Sequence, residues 1–152
     1  MLYKVKKFLQ LSGAKKKLFF EAYVTLGIMR TAILTVSFKR LTRALEHKPH
    51  QEVLSTLDEN EIFIATSVGQ AITSASAHTP WESACLAQSL TAQRMLQKRG
   101  IPGVFYLGAA KDEESEAKMK AHAWSQCGDD IITGAGGHED FTVLSVFGWG
   151  RE

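Results

Sequence analysis

Trp81–Gly100 reads WESACLAQSLTAQRMLQKRG, and this stretch decides how the rest of the chain is arranged. Thr79, Pro80 and Glu82 are residue types that open a helix and suit its positive end, while Lys98, Arg99 and Gly100 suit its negative end and its stop. Cys85 is therefore expected in the first turn, where unpaired backbone N–H groups and the helix dipole favour the ionised, nucleophilic form of a thiol. Beyond Ile101 and Pro102 an apolar run leads to KAHAW, with His122 inside a strand-like segment. A thiol at a helix start and an imidazole on a later strand are the two parts of a thiol-nucleophile site. The same two residues also fit a plainer reading, a small buried cysteine and a satisfied strand histidine, because free cysteines are usually buried and inert.

Outward from this helix the two sides of the chain differ in period. After Gly100 the pattern becomes strand-like: GVFYLGAA is rich in aromatic and β-branched residues, AHAWSQC and DDIIT form a hairpin turning at Gly128 and Asp129, and FTVLSVFGW is a last strand. KDEESEAKMK is an acidic excursion between strands, and GAGGHED is a glycine-rich loop. Before the helix, ENEIFIATSVGQAITSASAH is a helix of about five turns, started by Ser55 or Thr56 with Asp58 and Glu59 and ending near His78, a residue suited to completing a C-cap. Residues 3–45 read as helices broken at Gly13, and the polar HKPHQE segment with Pro49 reads as a link, leaving His47 and His50 without a role. The expected organisation is a helical N-terminal extension over residues 1–48 and a core over 49–152. Helices first and a small antiparallel sheet last make an α+β fold with segregated elements.

Composition limits the function. With 152 residues and 45% hydrophobic content the chain can bury a proper core, and its formal charge of +2 is unevenly spread. Lys4, Lys6, Lys7, Lys15, Lys16, Lys17, Arg30, Lys39, Arg40 and Arg43 make the first third basic. Such a surface suits an acidic peptide, a nucleic acid or a membrane face, or is the solvated side of helices. Leu18–Phe38 is nearly long enough to cross a bilayer, but Glu21 and Arg30 oppose it, each costing about 2.5–3.5 kcal/mol at mid-membrane on insertion scales. Two cysteines far apart fit a reducing cytoplasm, and neither has zinc-ligand spacing, so no metal and no cofactor is expected.

The run CLAQSLTAQRMLQKRGIPGVFYLGAA, then AHAW, then GDDIITGAGGHEDFTVLSVF resembles the transglutaminase-like cysteine proteases of lasso-peptide biosynthesis, the leader peptidases of ribosomally made precursors. The resemblance covers Trp81–Trp149, about half the chain. It implies a transglutaminase/papain-like core in which a nucleophile helix packs on the sheet. It also implies a peptidase that cuts the leader from a precursor peptide beside a separate leader-recognition protein and a macrolactam cyclase. No nucleic-acid partner is implied, and contact with a membrane surface is left to the N-terminal helices.

On this resemblance Cys85 matches the nucleophile and His122 the general base, with the Cys85 N–H as oxyanion donor and Gln88 as a candidate side-chain donor. Trp81 and Trp124 either wall the cleft or belong to the core. In many relatives an aspartate follows the histidine by about a dozen positions, where this chain has Gly134. Asp129 and Asp130 stand at the hairpin tip, and at about 3.3 Å per residue a carboxylate there is more than about 10 Å from His122. The GAGGHED loop is expected instead to return Glu139 over His122, ahead of Asp140, a carbonyl or a water. Cys127, of opposite parity to His122, is expected on the other sheet face as a structural residue. The same thiol chemistry also serves acyl transfer, and a non-catalytic peptide-binding module is the reading that uses neither residue.

Overall fold

The computed structural model describes residues 2–43, 45–48, 56–81, 83–114, 116 and 118–150. Five helices, α1 (Leu2–Leu9), α2 (Gly13–Thr35), α3 (Phe38–Leu41), α4 (Glu59–Ser76) and α5 (Cys85–Lys98), accompany five strands, β1 (Glu46–Lys48), β2 (Gly103–Lys111), β3 (Met119–Cys127), β4 (Asp130–Thr133) and β5 (Thr142–Trp149). The sheet is antiparallel throughout in the order β1-β5-β2-β3-β4. The α+β architecture, with α5 packed on a small antiparallel sheet, is thus the one the sequence implied.

Helix starts follow local chemistry. Asp58 accepts from the Glu61 N–H at 2.8 Å while the Glu61 carboxylate accepts from the Asp58 N–H at 3.1 Å, a capping box that begins α4. Ser12 caps α2 through the Lys15 N–H. At the far end of α4 the His78 ring hydrogen-bonds the Ser74 carbonyl at 2.8 Å, the C-terminal role the sequence indicated. α5 is stopped by Gly100, two residues past its end and in the left-handed region, with the Ile101 N–H returning to the Leu96 carbonyl.

Two boundaries depart from the sequence reading. The helix read from Trp81 begins at Cys85, because Thr79, Trp81 and Ser83 are held by side-chain hydrogen bonds that no helix makes. Residues 46–48, placed at the end of the helical extension with 47 and 48 also in the HKPHQE link, form an edge strand: Glu46, His47 and Lys48 pair with Gly148, Phe147 and Val146. A three-residue polar strand carries no periodic signal, and only the free edge of β5 makes it a strand. Ser55, Glu82, Pro49, His50 and the side chain of His47 lie outside the described residues.

α4 and α5 cover one face of the sheet, and α2 packs across those two helices. Leu26, Val68, Ile72, Leu90, Met95 and Leu96 pack against Phe105, Phe147, Trp149, Ile132 and Cys127 in one core. Each aliphatic side chain so buried contributes about 1.5–3 kcal/mol. α2, counted in the sequence with the extension, supplies Ala22 and Leu26 to this same core. Arg99 fastens it further, its guanidinium forking onto the two Glu21 carboxylate oxygens at 2.9 and 2.6 Å. α4 rides close over β4 because Gly69 has no side chain; a Cβ there would stand 2.6 Å from the Ile132 carbonyl oxygen.

Candidate active site

Cys85 is the first residue of α5 and is partly buried. The preceding loop is held by polar side chains: Thr79 Oγ1 lies 2.7 Å from Ser83 Oγ and donates to the Trp81 carbonyl at 3.0 Å, and Gln88 Nε2 donates to the Ser83 carbonyl at 2.9 Å. Gln88, a candidate oxyanion donor by sequence, thus spends an amide hydrogen on that loop. Ala84, at the N-cap, has no side chain able to cap. Among the described residues the N–H groups of Cys85, Leu86 and Ala87 have no hydrogen-bond acceptor, as expected of an uncapped first turn. One turn on, Ser89 Oγ stands 3.5 Å from Thr133 Oγ1, which meets Ser125 Oγ at 2.7 Å. These buried hydroxyls pin the start of α5 to the end of β4 and to β3.

His122 lies on β3 opposite Gly108 of β2. Its Nε2 is 2.7 Å from the Gly134 carbonyl oxygen. A carbonyl only accepts, so Nε2 carries the hydrogen, and the lone pair of the neutral ring falls on Nδ1. The ring is further fixed by stacking on Trp124 at 5.7 Å between centroids and by Phe141 at 5.1 Å. Trp124 is buried and stacks in turn on Tyr106, whose hydroxyl pKa burial raises. Trp124 thus belongs to a packed aromatic wall beneath the histidine. Trp81 sits against Tyr23 and Gly27 of α2, with its indole N–H buried and without a partner among the described residues.

Gly134 takes φ +76°, and a Cβ there would lie 2.5 Å from the Ala123 carbonyl oxygen. That left-handed turn sends the chain across β3 and aims the Gly134 carbonyl at His122. Glu139, expected over His122, is elsewhere. It belongs to a short 3-10 turn, His138–Asp140, it is exposed, and its carboxylate lies 3.5 Å from His138 Nδ1. The physical reason is the same turn: once a main-chain carbonyl occupies Nε2, the loop runs on to lay Phe141 on the imidazole and His138 near Trp124, 5.6 Å between ring centroids. The sequence reading passed over His138 and Phe141, for which the only signal was an aromatic residue directly after the glycine-rich loop.

Cys127 is buried in the helix-side core, its thiol pKa pushed up to about 12 by desolvation and then by the Asp130 charge. It is inert by environment. By strand alternation Ser125 and Cys127 face α5 while His122 and Trp124 face the other way. β4 pairs with β3 only from Ser125 to Cys127, so the edge of β3 beside His122 has no strand partner. Among the described residues neither Cys85 Sγ nor His122 Nδ1 has a hydrogen-bond partner, and the structure does not bring the two together, since His122 faces away from the helix that Cys85 begins. Nor do three or more His, Cys, Asp or Glu side chains gather there as a metal would require.

The transglutaminase-like superfamily matches residues 26–146, most of the chain. This protein belongs to that superfamily. Comparison with curated proteins and with solved structures finds no match. Membership supports an enzyme with cysteine-protease or acyltransferase-type chemistry. The superfamily match begins within α2, the helix that shares its core with α4 and α5.

Proposed function

We propose that this superfamily member is a cytoplasmic cysteine peptidase that removes the leader from a ribosomally synthesised lasso-peptide precursor, with Cys85 as nucleophile and His122 as general base. The observation that carries the reading is the Nε2–H···O bond from His122 to Gly134, which leaves Nδ1 as the basic nitrogen without an acidic side chain. The open N–H groups at the start of α5 supply the second requirement, donors for a developing oxyanion. Two free thiols agree with a reducing compartment.

The chemistry follows from these atoms. Nδ1 takes the Cys85 proton as Sγ bonds to the scissile carbonyl carbon, and the carbonyl oxygen, now negative, accepts from the N–H groups of the first turn. Collapse breaks the C–N bond, and the imidazolium returns its proton to the leaving amine. Water then gives a proton to Nδ1 as it attacks the thioester, releasing the leader's new carboxylate and restoring the thiol. Sγ and Nδ1 must come within hydrogen-bond reach for the first step. His122 faces away from α5 in the free chain, so this step requires the imidazole to swing past the unpaired edge of β3 toward the start of that helix. A separate leader-recognition protein would deliver the precursor, and a macrolactam cyclase would take the product.

Acyl transfer uses the same thioester with an amine in place of water. Mass spectrometry of a candidate precursor incubated with the protein, with and without the leader-recognition protein, tests the proposal. Leader and core should appear as separate acid and amine products, and an added amine should not divert them. Cys85→Ala and His122→Ala should each abolish cleavage. Substantial turnover by either variant refutes the assignment, and amide product in preference to acid assigns acyl transfer.

A further inference from the structure

Lys4, Lys6, Lys7, Lys15, Lys16 and Lys17 all precede the first acidic residue of the chain, Glu21. Among the described residues the helix carrying the first of them, α1, has no extensive packing on any other element. It nevertheless exposes Leu2, Val5 and Leu9, spaced three and four apart on one face, with Leu2 81% and Leu9 62% exposed. α2 repeats the arrangement. Phe20, Val24 and Ile28 recur every four residues, Leu34 continues the stripe, and all four are more than half exposed. An open groove runs beside this stripe, lined by Val24, Ile28, Leu34 and Trp81.

By length and composition α2 is apolar enough to cross a membrane. Its other face excludes that placement, because Ala22, Thr25 and Leu26 are buried and Glu21 is ion-paired to Arg99 of the folded core. Apolar side chains beside lysines on an outward helix face fit a helix lying in a bilayer interface, with the hydrocarbon taken up at the acyl boundary and the ammonium groups among the headgroups.

We propose that α1 and the outward stripe of α2 form a docking surface for an anionic lipid bilayer, on which the enzyme lies without spanning it. Charge selects the occupant: a run of lysines with no acid is complementary to anionic headgroups, and each lysine near such a surface strengthens binding about fivefold.

The test is co-sedimentation of the full chain with phosphatidylcholine vesicles, with and without phosphatidylglycerol. Partition onto the anionic vesicles should exceed that onto neutral ones by at least about tenfold and should fall as salt shortens the screening length. Lys6→Glu, Lys15→Glu and Lys17→Glu together, all exposed, should cost at least about tenfold in partition with the melting temperature unchanged. Leu2→Ser with Leu9→Ser should weaken binding even at low salt. Equal partition onto both vesicles, or charge-reversed protein that binds like the parent, overturns the proposal. So does a chain that ignores vesicles but co-elutes with a leader-recognition protein, which would assign the surface to a protein partner.

Discussion

Adding a single methyl group at Gly134 should damage both the fold and the histidine. Its backbone stands at φ +76°, a region costing an L-residue about 1–2 kcal/mol. The new Cβ would lie 2.5 Å from the Ala123 carbonyl oxygen and 3.0 Å from the Trp124 Cα, main-chain atoms that cannot rotate aside. Forcing such an overlap typically costs a further 1–3 kcal/mol or so, for a total of about 2–5 kcal/mol. At about 2–4 °C per kcal/mol for a domain this size, Gly134→Ala should lower Tm by roughly 4–20 °C. Relief of the clash means moving the turn away from β3, which takes the Gly134 carbonyl off His122 Nε2. The imidazole then loses the partner that sets its tautomer, and kcat should fall at least about tenfold with KM little changed. The same geometry predicts that Gly134→Asp, which installs the acid found in many relatives, gives a less stable and no faster enzyme. Thermal melts followed by circular dichroism, with steady-state cleavage of a precursor peptide, measure both effects. A Gly134→Ala protein that melts within about 2 °C of the parent and keeps kcat within about twofold would refute this account of the turn.

Iodoacetamide at neutral pH should label Cys85 in the folded protein and leave Cys127 untouched until denaturation, since Cys127 is buried with its pKa near 12; peptide mass mapping reads this, and equal labelling would contradict the two environments. Glu139→Gln should leave kcat within about twofold, because the carboxylate is exposed and faces His138; a tenfold loss would return the orienting role to the loop acid. The Glu21 carboxyl has its pKa lowered, first by the hydrogen bonds from Arg99. The stability it contributes is therefore full above its unfolded pKa of about 4.3 and is lost as pH falls through the lower folded value. Glu21→Gln should cost on the order of 1 kcal/mol at pH 7 and flatten the acid limb of a stability-versus-pH curve, and an unaltered acid limb would show that the Arg99 fork adds nothing.

What the sequence determined by itself was everything carried by local period and residue type. Apolar spacing separates helices from strands, Gly100 marks a helix end, and the separation of Cys85 from AHAW carries the resemblance to a thiol enzyme. The parity of Cys127 against His122 also sufficed to place them on opposite sheet faces, because strand side chains alternate strictly. Tertiary structure alone decided the rest. β1 exists because β5 has an edge to fill, and α5 starts at Cys85 because Thr79, Ser83 and Gln88 tie down the loop before it. The partner of His122 was invisible for a deeper reason. Every residue carries a carbonyl, so a carbonyl that takes the place of an acid leaves no mark in the sequence; which one reaches the imidazole depends on the sign of φ at Gly134 and on what it packs against.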